Sequence, residues 1–210
     1  SQGKANSLKG TGGLSPETPA NEPPDVFLYN PEDPVPTRGG ALCCNPYFAA
    51  NGAYEQSAIE AREDVLVYST PPLQREVEVT GPVTVTLFAV TSAKDTDFTA
   101  KLVDVCEDGC ARNLTDGIIR ARYRDSMSSP PLLEPGEVYE YTIDLWATSN
   151  VFKAGHRIRV EVSSSNFPRF DRNTNTGNTI AEDTEFKPAM QTVLHTSQHP
   201  SHITLPIVPL

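Results

Sequence analysis

The sequence predicts a single all-β domain, a jelly-roll sandwich of two antiparallel sheets. Apolar residues recur at every second position through most of the chain, which is the period of a strand with one buried face. Nineteen prolines among 210 residues disfavour helices and suit a protein rich in loops. Only residues 54–62 offer a short helical turn. About eight to ten short strands with irregular connections fit a jelly roll better than an immunoglobulin sandwich.

The predicted strands differ in what their two faces carry. The run 83–90 has apolar side chains on both faces, which predicts a position in the middle of a sheet. In the other runs the alternate positions are largely charged, as at Arg157, Arg159 and Glu161, and so one face is predicted to be in solvent. These other runs are 77–79, 98–102, 119–123, 139–145, 158–162 and 203–207.

The organisation along the chain is simple. Residues 1–24 are rich in Gly, Ser, Pro and Lys and predict an extended lead-in, and residues 25–210 form the predicted jelly-roll domain.

No stretch approaches the ~20 apolar residues of a membrane span, and the polar start lacks the apolar core of a signal peptide. The net charge of −10 argues against nucleic acid or an anionic membrane as a partner. A soluble protein is expected, with a cytoplasmic location slightly favoured.

Motifs for catalysis and for cofactors are missing from the sequence. No two glycines stand four positions apart, which excludes the G-x-S-x-G nucleophile elbow. Walker A, G-x-G-x-x-G and H-E-x-x-H are also absent. We therefore predict no catalytic residue and no cofactor within this chain.

Two groups of side chains could in principle bind a metal ion. The first group is three histidines near the C-terminus. They span a strand end and a proline-containing turn without a nearby acid or thiol, so a surface turn is favoured over a metal site. The second group is three aspartates, which offer the oxygen ligands that calcium takes, but a turn before a strand also needs such residues. We predict no metal. The two groups are His195, His199 and His202, and Asp95, Asp97 and Asp104.

The cysteines suggest one disulfide. Cys106 and Cys110 bracket a three-residue Asp-Gly turn between two predicted strands, and closing that hairpin would bring their Cα atoms within disulfide reach. A structural zinc site usually has two C-x₂₋₄-C pairs, whereas Cys43 and Cys44 are adjacent. We predict Cys106–Cys110 as a candidate disulfide and no zinc.

Several stretches resemble one family. Together, and in this order, they are similar to the C-terminal domain of the X-Pro dipeptidyl-peptidase and cocaine-esterase (CocE/NonD) family of serine hydrolases, over nearly the whole chain. The stretches are YNPEDPVPTRGG at 29–40, EAREDVLVY at 60–68, TGPV at 80–83, DTDF at 95–98, GHRIRV at 155–160 and SSSNFPRFDRN at 163–173.

The resemblance implies a jelly roll, like a galactose-binding domain, that follows an α/β-hydrolase domain with a helical cap. In that family the serine, aspartate and histidine of the catalytic triad all lie upstream of this region, so none is carried over to a residue here. The expected partner is that upstream catalytic domain. The chain by itself is expected to be inactive, as the tail of a hydrolase that acts on X-Pro peptides, esters or amides.

The resemblance also implies a role for the loop after Gly39-Gly40, which helps to wall the acyl pocket in relatives. We call residues 41–45 the pocket-wall loop. A loop that packs on its own sandwich is an equally good interpretation. If the loop faces another domain, the isolated chain should expose an apolar patch there and self-associate as a homo-oligomer. The candidate wall is Leu42, Cys43, Cys44 and Asn45, and the patch is Leu42, Cys43, Cys44, Tyr47 and Phe48.

Two alternatives to the accessory role remain open. A free-standing carbohydrate-binding module would need exposed aromatic platforms, and the only tryptophan, Trp146, falls at the end of a strand whose partners look buried. A structural adhesion module has no feature for or against it. The run 163–173 could bind a sugar or carboxylate, but satisfying backbone groups in a long ordered loop is favoured, with Phe167 and Phe170 anchoring that loop.

Overall fold

The computed structural model describes residues 3–43 and 50–209. The predicted helical turn is confirmed as α1, and no helix among these residues is long and apolar enough to cross a membrane. The elements in chain order are β1 (Asn21–Tyr29), α1 (Ser57–Glu60), β2 (Leu66–Ser69), β3 (Val77–Thr91), β4 (Asp97–Val105), β5 (Ala111–Arg120), a 3-10 turn (Ala121–Tyr123), β6 (Val138–Phe152), β7 (Arg157–Ser163), β8 (Ala189–Thr196), β9 (His202–Thr204) and β10 (Ile207–Val208).

The strands form two antiparallel sheets. In the first sheet β3 is central, with β6 along one edge and β8, β9 and β10 along the other, and β1 continues the sheet beyond β8. The second sheet has the order β2-β7-β4-β5. The predicted sandwich, and the mid-sheet position of the run 83–90, are confirmed. The finer likeness to galactose-binding domains stays a prediction.

The main hydrophobic core lies between the two sheets. Apolar side chains of β3 and β6 in the first sheet face those of β4 and β7 in the second. Phe98 of β4 and Tyr141 of β6 are fully buried there, and their ring centroids lie 4.9 Å apart. Burying aromatic side chains of this size contributes strongly to the hydrophobic stabilisation of a sandwich.

The lead-in packs along the edge of the second sheet. Ala5 is fully buried in the core, Asn6 bridges Leu66, and Gly13 bridges Ser69 at the other end of β2. The lead-in therefore covers backbone groups that an edge strand would otherwise present to other chains. We predicted that the domain starts at residue 25, whereas β1 already begins at Asn21. The division between lead-in and domain stays a prediction.

Asp25 of β1 joins the lead-in to both sheets. Its buried carboxylate accepts a hydrogen bond from the backbone N–H of Ala5 at 2.8 Å through Oδ1. Its Oδ2 accepts one from the Tyr68 hydroxyl of β2 at 3.0 Å and lies 2.8 Å from Nε2 of His195 in β8. Burial and the neighbouring Asp25 raise the pKa of Tyr68, so the hydroxyl stays a donor.

The strand predicted at 119–123 is wrong at its C-terminal end. β5 ends at Arg120, and the chain continues as the 3-10 turn. Asp95 accounts for the bend, because its Oδ1 accepts the backbone N–H of Arg122 at 3.0 Å and its Oδ2 accepts the Nε–H at 2.8 Å. The period-two pattern depends on neighbouring residues only, so it cannot indicate a hydrogen bond to a carboxylate that is distant in the sequence.

The solvent face predicted for β7 is also wrong. Arg159 and Glu161 are buried, because residues 30–43 and 50–65 pack over the outer face of the second sheet. We call this segment the cover. It carries a small apolar cluster of its own, formed with one outward-facing residue of β2. The cluster is Val35, Ile59, Val65 and Val67.

Asp25→Ala is expected to lower the free energy of unfolding by about 3–5 kcal/mol, the usual cost of removing one partner from a buried charged network. The substitution leaves the Ala5 N–H, the Tyr68 hydroxyl and His195 without their acceptor. Urea unfolding followed by circular dichroism measures the change.

Asp125→Ala is the matched control for this prediction. It removes an exposed carboxylate that lies 3.1 Å from Arg124, and exposed pairs contribute about 0–1 kcal/mol. Equal losses of stability in the two variants would contradict the role of Asp25.

Candidate functional site

A layer of buried charges lies between the second sheet and the cover. Lys101 of β4 lies 3.1 Å from Glu161 of β7, measured from Nζ to Oε2, and Nη1 of Arg159 lies 2.7 Å from Oε2 of Glu60 in α1. None of these four residues is more than 8% exposed. Because charges removed from water need partners, the Arg159–Glu60 pair fixes the position of α1 over the sheet, while Lys101 and Glu161 pair within the sheet.

Gln56, just before α1, fixes the part of the cover that leads to the pocket-wall loop. Its fully buried side chain donates hydrogen bonds from Nε2 to the carbonyls of Arg38 at 2.8 Å and Tyr54 at 2.9 Å. Its Oε1 accepts one from Lys101 at 3.1 Å. The backbone just before Gly39-Gly40 is thus connected to the buried charges.

The Gly39-Gly40 turn has no space for side chains. Gly40 and Gly52 exchange two backbone hydrogen bonds, at 2.8 and 2.9 Å. Both turn glycines have positive φ angles, 73° and 99°, which other residues rarely adopt. A Cβ atom on Gly39 would lie 2.5 Å from the Gly52 carbonyl oxygen. The turn therefore fixes the backbone up to Gly40, directly before the pocket-wall loop begins.

The 163–173 loop pairs with the cover ahead of this turn. The Val35 N–H donates to Oγ of Ser165 at 2.9 Å, the Phe167 N–H donates to the Val35 carbonyl at 2.9 Å, and the Thr37 N–H donates to the Phe167 carbonyl at 2.7 Å. Asn173, at the end of the loop, donates from Nδ2 to both Asp95 and Asp97 at 2.8 Å. These contacts agree with the prediction of a loop whose polar side chains satisfy backbone and buried groups.

The candidate wall residues fall only partly within the described chain. Leu42 is half-buried and Cys43 is exposed. Cys44 and Asn45 lie outside the described residues, as do Tyr47 and Phe48 of the predicted apolar patch. The roles of all these residues stay predictions.

Cys106 and Cys110 lie across the β4–β5 hairpin turn, as the sequence predicts. The Cys106 N–H donates to the Cys110 carbonyl at 2.9 Å, and Gly109 closes the turn with a φ of 87°. Both thiols are free in this structure. Burial and the nearby Asp104 raise the pKa of the Cys106 thiol, so it is a poor nucleophile. The disulfide stays a prediction.

The aspartates considered for calcium all have protein partners. Asp97 binds Arg120 through two hydrogen bonds, at 2.9 and 3.0 Å, and Asp104 lies 2.9 Å from Nδ1 of His156. No group of three potential ligands that could hold a metal occurs among residues 3–43 and 50–209.

The surface-turn interpretation is wrong for His195, which shares the buried face of β8 with Val193. The sequence contained one signal for this burial, because His195 stands two positions after Val193 and therefore on the same face of the strand.

A cavity of about 690 Å³ lies between the two sheets. Val85 and Leu87 of β3 face Val160 of β7 across it, and no residue of the cover lines it. Its buried polar side chains Tyr68 and His195 both contact Asp25. The residues that face each other across the cavity from the two sheets are therefore apolar, and its buried polar side chains already have partners.

Trp146 differs from the prediction. It lies within β6 and is 73% exposed, with a φ of 65°. Its backbone N–H donates to Oδ1 of Asp144 at 2.7 Å, next to an irregularity in the β3–β6 register at Pro82 and Thr84. A positive φ is unusual for a bulky residue. In β6, Trp146 stands on the exposed face, in period-two register with Glu140, Thr142 and Asp144, and this spacing was the available signal.

The chain belongs to the family described as X-Pro dipeptidyl-peptidase C-terminal non-catalytic domain, whose model matches residues 2–204. It is thus a non-catalytic C-terminal domain of the X-Pro dipeptidyl-peptidase and CocE/NonD hydrolases, as the sequence motifs indicate. It is 52% identical over 208 residues to cocaine esterase of Rhodococcus sp. (strain MB1 Bresler), covering 98% of this chain and 36% of that protein. A putative Xaa-Pro dipeptidyl-peptidase of Bacillus anthracis is 30% identical over 104 residues, covering 49% of this chain and 17% of that protein.

Solved structures show the same fold. An aminopeptidase from a marine sediment archaeon, Thaumarchaeota archaeon, superposes with a TM-score of 0.86 at 33% identity, covering 97% of this chain and 36% of that chain. An alpha-amino acid ester hydrolase gives a TM-score of 0.86 at 29% identity with the same coverage of both chains. The present chain therefore spans about a third of the length of these similar proteins.

Glu60→Gln is expected to remove a pH-dependent component of stability. Burial, together with the nearby Glu161, raises the pKa of Glu60 from 4.5 to about 7, against the effect of Arg159. The folded state therefore holds this proton more tightly than the unfolded state, and the contribution of Glu60 to stability falls as the pH rises from 4.5 to about 7. The stability of the wild type relative to Glu60→Gln should decrease across that interval.

Urea titrations at several pH values measure this difference, with Glu140→Gln, at an exposed position of β6, as the control. A difference between wild type and Glu60→Gln that stays constant with pH would show that burial does not raise the pKa of Glu60.

Proposed function

We propose that this chain is the accessory C-terminal domain of a serine hydrolase that acts on X-Pro peptides, esters or amides. The observation that carries the proposal is its match, over 98% of its length, to 36% of cocaine esterase, while the sequence contains no nucleophile elbow. The catalytic triad then belongs to an upstream α/β-hydrolase domain, on which this sandwich packs.

The second part of the proposal is that the pocket-wall loop contacts the acyl group of the substrate. The support is local: Gly39-Gly40 brings the chain out of the cover in a fixed direction, and the exposed Cys43 follows. Pocket walls formed by loops on a rigid scaffold are common in enzymes. The sandwich would therefore contribute to substrate choice without contributing a catalytic group.

The isolated chain is expected to hydrolyse p-nitrophenyl esters no faster than buffer, because it lacks an elbow serine with a base and an oxyanion hole. The product of the complete gene is expected to hydrolyse them and to react with a fluorophosphonate probe at a serine upstream of residue 1. Stoichiometric labelling of a serine within residues 1–210 would contradict the proposal.

A carbohydrate-binding module is the second candidate, because Trp146 is 73% exposed and exposed tryptophans can stack on sugar rings. As the single tryptophan of the chain, it is also a clean fluorescent reporter. Under the accessory-domain proposal, titration with mono- and oligosaccharides leaves its emission unchanged. A saturable change that is lost in Trp146→Ala would favour carbohydrate binding instead.

A further inference from the structure

The cavity between the two sheets has the size of a ligand-binding site. Its volume of about 690 Å³ lies within the roughly 300–1,000 Å³ of small-molecule pockets. Val85, Val160 and Val193 line it and are nevertheless at most 3% exposed, so the space lies inside the sandwich rather than on its surface. Protein interiors are normally packed with few voids larger than a water molecule. A space of this size therefore sets this end of the sandwich apart from the rest of the core.

The walls of the cavity suit an apolar molecule better than water. The side chains of β3 and β7 that face each other across it are apolar and offer no hydrogen bond. The buried polar side chains Tyr68 and His195 already contact Asp25, whereas an ordered buried water needs about two to four polar partners. An apolar molecule in this space gains burial from water and dispersion contacts with both sheets.

A segment of the lead-in, residues 15–19, separates the cavity from solvent. We call it the strap. It is held at both ends, because the Leu14 N–H donates to the Ser69 carbonyl of β2 at 3.0 Å and the Ser197 N–H, just after β8, donates to the Ala20 carbonyl at 2.7 Å. All five strap residues line the cavity and most of them are exposed. The strap thus spans from the second sheet to the first across the open end of the cavity.

The charges around the cavity favour a cation at the strap. The lining includes Glu17, which is exposed on the strap, and Glu22 of β1, while no lysine or arginine occurs among the described residues that line it. Its two histidines have protein partners, since His195 contacts a buried carboxylate and Nδ1 of His202 lies 2.7 Å from the Pro200 carbonyl oxygen. The net charge of −10 acts in the same direction. A carboxylate at the strap would therefore lack a fixed counterion, whereas an ammonium group would be attracted.

We propose that the cavity binds a small amphiphile, with an aliphatic or aromatic body between the sheets and a cationic ammonium head beside Glu17 of the strap. The body makes the apolar contacts that the open space leaves unmade, and the head stays partly in water. No described residue of the cover lines the cavity, so the inference rests neither on the proposed function nor on the pocket-wall loop.

The first test compares two ten-carbon probes, decyltrimethylammonium and decanoate, by isothermal titration calorimetry below their micelle concentrations. It uses the product of the complete gene after reaction with the fluorophosphonate probe. We expect one decyltrimethylammonium to bind in the cavity of each chain, about tenfold more tightly than decanoate. The absence of saturable binding, or an equal affinity for decanoate, would overturn the proposal. If no serine reacts with the fluorophosphonate, the proposed function fails, and the titration still decides this inference.

Val85→Phe tests whether the cavity is the site, because the larger side chain enters the open space. It is expected to weaken decyltrimethylammonium binding at least about tenfold, without lowering the melting temperature of the ligand-free protein. Val83→Phe is the matched control, since Val83 is a fully buried residue of β3 that is absent from the described lining. Overpacking there should lower the melting temperature by about 5 °C. An equal fall in both variants would show that side chains already fill the space, and would overturn the proposal.

The wild-type protein locates the ligand even if Val85→Phe does not accumulate. With labelled valine and leucine methyl groups, intermolecular nuclear Overhauser effects are expected between the decyl chain and Val85 and Val160, which face each other across the cavity. Effects to other methyl groups alone would place the ligand elsewhere and contradict the proposal.

Glu17→Lys tests the position of the head group. It should reduce the preference for decyltrimethylammonium over decanoate by about threefold, the scale of an exposed ion pair. Glu140→Lys changes an exposed carboxylate of β6 and should leave the preference unchanged. If the two variants have the same effect, the ammonium head does not lie at the strap and the proposal fails.

Discussion

The arrangement of the two sheets depends on one buried carboxylate. Asp25 accepts hydrogen bonds from the lead-in and from β2, and it contacts His195 of β8. Hydrophobic packing between sheets is non-directional and would tolerate small sliding movements, whereas a buried charge with three partners allows one arrangement only. The edge of β2 is covered because the same carboxylate holds Ala5 in the core. The alignment of the sheets and the path of the lead-in are thus set by a single group.

The second sheet uses polar contacts in a different way. Its inner face is part of the apolar core, but its outer face carries buried charges: Lys101 and Glu161 pair within the sheet, while Arg159 pairs with Glu60 of the cover. Breaking a buried pair leaves an uncompensated charge, so the cover cannot lift from the sheet in small steps. The fold is therefore a sandwich with a third, irregular layer, and the pocket-wall loop begins in that layer.

Period-two patterning predicted most of the sandwich, because the buried face of each strand is apolar whatever covers the other face. It failed where the other face is not in solvent. Arg159 and Glu161 look like solvent-facing residues in the sequence, and only the cover makes them buried. It also failed where a distant residue bends the chain, as Asp95 does at Arg122.

The candidate site was predictable only through motifs. The Gly-Gly turn can be read from the sequence, but the residues that support it come from β5 and from the 163–173 loop, which are far away along the chain. If the wall and the catalytic triad lie on different domains, as we propose, the shape of the pocket depends on the packing between those domains as well as on the residues that line it. The buried polar contacts beneath the start of the loop would then help to keep the shape of the pocket. A flexible wall would adapt to many acyl groups and lose discrimination, whereas a wall that begins at a residue held to the sheet, as Ala41 is through Arg169 and Asp116, would lose less of it.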